Sequence, residues 1–116
     1  MNKNPIVEKS YAFSLRIVKM YQYLCDVKKE YILSKQVMRC GTSIGANVAE
    51  AQRAQSRADF HAKMSIAQKE ANETEYWIRL LADAGYINKA ENTSIMKDLK
   101  ELLALLASIC KASKTS

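Results

Sequence analysis

The sequence predicts an all-α protein, an up-down-up-down antiparallel four-helix bundle, on three observations. Only three glycines and one proline occur in 116 residues, too few for the turns of a hairpin or sandwich fold. Residues with high helix propensity (Ala, Leu, Lys, Glu, Gln and Met) are abundant. Apolar residues recur at three- and four-residue spacing in four segments separated by short breaks. With 48% hydrophobic content, residues 1–116 form one domain, able to bury roughly two thirds of its unfolded surface without disulfides or metal.

Each helix has its own signals. Asn4 and Pro5 are an N-cap and first-turn pair, and Phe13, Ile17, Met20, Leu24 and Val27 carry the first helix over residues 5–28. The stretch CDVKKEYILSKQ contains neither glycine nor proline, but the apolar phase shifts there to Leu33, Val37, Cys40, Ile44, Val48 and Ala51. An unbroken helix would then bury the wrong face, so a second helix is predicted over 33–53. Ser56-x-x-Asp59 resembles a capping box and opens the third, 57–84, with Phe60, Met64, Ala67, Ala71, Thr74, Ile78 and Leu81 inward. Gly85 is predicted as its left-handed cap. Asn88-x-x-Glu91 caps the fourth, 89–111, along Ile95, Leu99, Leu102, Leu106 and Ile109; residues 112–116 are expected to be a frayed tail.

Glycine inside a helix costs about 1 kcal/mol relative to alanine, so Gly41 and Gly45 in GTSIGANVAEA imply a close neighbour that offsets the cost. With Met38 and Ala49 they form a smooth face about 100° round from the core stripe. The neighbour is either a helix of the same bundle or one of another subunit. Ile66, Trp77, Leu80 and Ala84 make a second apolar strip on the third helix, with Glu73 beside it. A lone four-helix bundle needs one apolar face per helix, so two extra faces predict a homo-oligomer.

Charge is uneven. Residues 1–57 hold ten Lys/Arg and four Asp/Glu, a net +6, whereas residues 58–116 hold eight of each. Lys35, Arg39, Arg53 and, if the helix runs on, Arg57 lie on the side of the second helix away from its core, with Ala46 and Glu50 among them. Arg16 and Lys19 extend that surface if the first two helices are neighbours. A surface shaped by stability alone would intersperse the two signs, so this one predicts an anionic partner.

Several chemistries lack their residues. A di-iron bundle site needs two Glu-x-x-His motifs, and this chain has one histidine, His61, with Ala58 three residues before it. One histidine beside Phe60 supports no Ser/His/Asp or Cys/His triad, and GTSIG lacks the Gly-Lys-Ser/Thr ending of a phosphate loop. Cys25, Cys40 and Cys110 have neither zinc spacing nor an even count, and are expected to be reduced thiols in a cytoplasmic protein. The apolar run LLALLASIC is short of the roughly 20 residues of a membrane span. The expectation is a non-enzyme without catalytic residues, cofactor, metal or membrane contact.

The segment LSKQVMRCGTSIGANVAEAQRAQSRADFHAKMSIAQKEANETEYWIRLL, residues 33–81, closely resembles the four-helix bundle proteins of the 23S rRNA intervening-sequence family, relatives of the accessory variability determinant of diversity-generating retroelements. SIGANVAEA and KEANETEYW are its most specific stretches, and the likeness extends over nearly the whole chain. It implies a homopentameric barrel whose basic surface associates with RNA or DNA, in retroelements together with a reverse transcriptase. Arg39 matches a family basic position; Ser43, Ile44, Asn47 and Glu50 match a segment where helices meet closely; Glu73 and Glu75 match an acidic pair. Gly45 and Ala51 stand where many members have proline and glycine.

The function expected is therefore a non-enzymatic oligomeric scaffold that binds nucleic acid through Arg16, Lys19, Lys35, Arg39, Arg53 and Arg57. Its subunit or close-packing contacts are expected at Gly41, Gly45, Asn47, Ala49, Glu50, Ile66, Glu73, Trp77 and Leu80. The alternative is an adaptor whose basic face meets an acidic protein.

Overall fold

Four helices and no strand make up residues 4–114, the part of the chain that the computed structural model describes. They are α1 (Pro5–Asp26), α2 (Leu33–Ala51), α3 (Arg57–Asp83) and α4 (Lys89–Ser113). Consecutive helices pack side by side into a bundle, and α1 and α4 meet along a looser seam. Phe13, Ile17 and Leu24 of α1, Val37, Ile44 and Val48 of α2, Met64, Ile78 and Leu81 of α3, and Ile95, Leu99 and Leu106 of α4 form one buried core. These are the positions that the three- and four-residue spacing selects. Val27 is an exception: it follows the last turn of α1 and is 63% exposed.

Local chemistry ends each helix. Ser56 Oγ accepts the Asp59 N–H at 3.0 Å, and Asn88 Oδ1 accepts the Glu91 N–H at 2.8 Å, each satisfying a donor that the first turn leaves open. The Asn4 side chain makes no such bond at α1. Gly85, at φ +86, closes α3 with its own N–H on Ala82 O and that of Tyr86 on Leu81 O, a Schellman pair. α2 stops at Ala51, two residues short of expectation, because the N–H groups of Gln52, Arg53 and Ala54 bond three residues back in a tightened turn. α4 runs two residues beyond the expected 111, to Ser113. There Arg57 donates to the carbonyls of Ala112 and Ser113, and Ser113 Oγ meets His61 Nδ1 at 2.8 Å, so this stretch is bound to α3. Residues 115–116 of the expected tail lie outside the described residues.

The break between α1 and α2 rests on two residues with no conventional turn chemistry. Lys29 takes φ +55, a left-handed conformation costly for a non-glycine residue. Glu30, only 8% exposed, turns its carboxylate onto the first turn of α2. Its oxygens accept the N–H groups of Ile32 at 3.1 Å, Leu33 at 2.9 Å and Ser34 at 2.7 Å, and Ser34 Oγ donates to its carbonyl at 2.8 Å. Burial pushes the Glu30 carboxyl up, but the three backbone donors and Ser34 outweigh it and hold the group below its ordinary value. A depressed folded pKa means that the stabilisation is present at neutral pH. It fades as the pH falls from the ordinary carboxylate range through the lower folded value. Glu30→Ala is expected to cost about 1–2 kcal/mol at neutral pH, and denaturant unfolding should show the deficit shrinking in acid; an equal deficit at both pH values would contradict the cap.

Candidate nucleic-acid interface

The glycines of α2 face α1. A Cβ placed on Gly41 would lie 2.8–3.0 Å from three side-chain atoms of Ile17, which is fully buried. One on Gly45 would lie 2.9 Å from Ser14 Oγ and 3.1 Å from the Ser10 carbonyl oxygen. That carbonyl already accepts Ser14 Oγ at 3.0 Å. The close neighbour that the glycines imply is thus a helix of the same chain, and their role is to bring two backbones together at the back of the basic half. Of the residues grouped with them, Ala49 is exposed, and Asn47 donates within its own helix to Ser43. Glu50 lies 3.6 Å from Lys63 of α3.

The six cations do not form one free stripe. Arg16 is held by α4, with Nη1 2.8 Å from Asp98 Oδ2 and Nη2 3.3 Å from Glu91 Oε1, and with Ser94 between them. Arg39 is held by α3: its Nη2 bonds Glu73, and its Nη1 lies 3.4 Å from Glu70. Arg57 is engaged with the end of α4. Lys19, Lys35 and Arg53 are exposed and have no ion-pair partner among the described residues. Lys28 and Lys29, in the exposed connection after α1, are likewise unpaired. Sequence reading missed them because Lys28 falls at the end of the expected first helix, which stops at Asp26 in the structure, and Lys29 in the break that follows.

A charged network joins α2 to α3. Glu73 Oε2 accepts the Trp77 indole N–H at 2.9 Å as well as the Arg39 guanidinium. The bond from Trp77 lowers the Glu73 carboxyl pKa, partial burial opposes it, and Arg39 adds to the lowering, so the group sits below its usual value. An anion is therefore fixed between a cation and an indole. Residue type and position mark Glu73 and Trp77 in the sequence, but their meeting with Arg39 depends on the register of two helices. On the same helix Ile66 is 43% exposed, while Trp77 and Leu80 are half-buried.

Half-buried His61 has Ser113 and, at 3.4 Å through Nε2, Ser65 Oγ as its hydrogen-bond partners among the described residues. Burial pushes the Cys40 thiol up, toward its neutral form. No group of three His, Cys, Asp or Glu residues among those described is placed to hold a metal ion. Nor is any described helix long and apolar enough to cross a membrane.

A family model described as 23S rRNA-intervening sequence protein matches residues 2–108. No curated protein matches the chain. Among solved structures, it is similar to the crystal structure of a protein of unknown function from the S23 ribosomal protein family of Bacteroides thetaiotaomicron VPI-5482. The two are 52% identical with a TM-score of 0.92, and 93% of this chain and 96% of that chain are covered.

Proposed function

Because the chain belongs to the 23S rRNA-intervening sequence protein family, we propose that it is a non-enzymatic scaffold in the cytoplasm that binds nucleic acid through the basic surface of α1 and α2. The observation that carries this reading is the division of the cations. Arg16, Arg39 and Lys63 draw the nearby acids Glu91, Asp98, Glu70, Glu73 and Glu50 into ion pairs. Lys19, Lys28, Lys29, Lys35 and Arg53 are left exposed to a polyanion. Phosphates take up such unpaired cations and release their own counterions, an attraction independent of base sequence.

The bundle is read as up-down-up-down. Partner numbers fall along one helix as they rise along the other: Lys9 meets Glu101 while Arg16 meets Glu91, and Arg39 meets Glu73 while Glu50 meets Lys63. Self-assembly, with five copies as the family resemblance implies, is supported by the outward Tyr11, Leu15 and Ile66, which are 67%, 50% and 43% exposed.

Lys35→Ala and Arg53→Ala test the charge reading. Each should weaken binding to unrelated RNA sequences alike and lower the slope of log affinity against log salt by about 1, measured by fluorescence anisotropy with circular dichroism as the folding control. Unchanged affinity in both variants would contradict it and favour an acidic protein as the partner of this face.

A further inference from the structure

A cleft of about 750 Å³ with a mixed polar and apolar lining lies between α3 and α4, outside the basic half, with Glu75, Tyr76 and Arg79 along one wall and Asn92, Lys97 and Lys100 along the other. Three of its features point the same way. Tyr76 is 60% exposed, yet its ring is set: it stands edge-to-face on Trp77, centroids 5.1 Å apart and planes at 80°. Trp77 in turn is anchored by Glu73, and Glu73 by Arg39. A held aromatic with an open face is a stacking platform. Lys97 and Lys100 have no acidic partner among the described residues, and Arg79 has only the loose, exposed contact of 3.9 Å to Asp83. Finally, Asn92 lines the cleft, and its Oδ1 is buried with no hydrogen-bond donor among the described residues, so turning the side chain into the cleft would let it accept an N–H from a base edge.

We propose that this cleft binds unpaired nucleic acid, with one base stacked on Tyr76, the edge of a base donating to Asn92, and backbone phosphates along Lys97, Lys100 and Arg79. A duplex hides its base faces within its own stack, whereas a single strand offers them. The cleft therefore selects single strands, while the cations of α1 and α2 attract any phosphate backbone. This inference rests on the nucleic-acid reading above and adds the class of strand and the residues that select it. Arg39 then acts as a positioning residue, through Glu73 and Trp77, more than as a phosphate contact.

The test compares a labelled single-stranded RNA of about 12 nucleotides, within the usual range of site sizes, with a duplex of the same length. Both are titrated with wild type, Tyr76→Ala and Tyr76→Phe. Tyr76→Ala should weaken single-strand binding roughly tenfold or more and leave duplex binding nearly unchanged, and Tyr76→Phe, which keeps the ring, should restore the wild-type value. Unchanged single-strand affinity in Tyr76→Ala, equal losses on both RNAs, or failure of Tyr76→Phe to restore binding would overturn the cleft. A wild type that binds duplex alone overturns this inference and leaves the proposed function standing. One that binds neither RNA removes both.

Discussion

Gly45→Leu is expected to destabilise the bundle by about 3 kcal/mol or more, the upper range for overpacking a close contact. Helix propensity alone predicts the opposite, a gain of about 0.8 kcal/mol when leucine replaces glycine. Geometry decides between them. The first side-chain atom would already approach Ser14 Oγ to 2.9 Å and the Ser10 carbonyl oxygen to 3.1 Å. Ser14 can rotate away by giving up its bond to Ser10, but the carbonyl is backbone and moves only with α1. Three more heavy atoms then enter the same gap. Gly45→Ala tests the balance at smaller scale, since a propensity gain of about 1 kcal/mol opposes only the Cβ contacts, and it should fall near neutrality. Denaturant unfolding at a fixed protomer concentration measures both variants. A neutral or stabilised Gly45→Leu would mean that α1 does not lie where the glycines place it.

The features legible in the sequence were those written in short-range chemistry. Ser56, Gly85 and Asn88 act within four residues of where they stand, and each occupies the terminus it marks. The apolar spacing likewise selected nearly all the inward positions, because a helix buries one stripe whatever its partner. The start of α2 was harder. Its cap is a glutamate two residues ahead of the N-cap position, Ile32, reached through a left-handed lysine, and neither residue type favours that role. The cations show the other limit. A helical wheel puts Arg39 and Arg53 on one side of α2, but only the register of α2 against α3 sets Glu70 and Glu73 beside Arg39 and leaves Arg53 open. The Tyr76 cleft is built from two helices distant in sequence, and no local pattern marks it.

The central claim, a nucleic-acid scaffold, is tested most directly by the salt dependence of wild-type binding to an RNA of arbitrary sequence, measured by anisotropy with the mass of the bound species read by light scattering. With a formal +6 per chain, a five-copy assembly would carry about +30 and contact several phosphates at once. Raising salt from about 50 to about 200 mM should then weaken binding on the order of a hundredfold, along a straight line of log affinity against log salt. The species that binds should have several times the 13.1 kDa of one chain. Absence of binding to single- or double-stranded RNA or DNA at the lower salt, by protein whose fold is intact, would contradict the account and make the basic surface a site for an acidic protein instead.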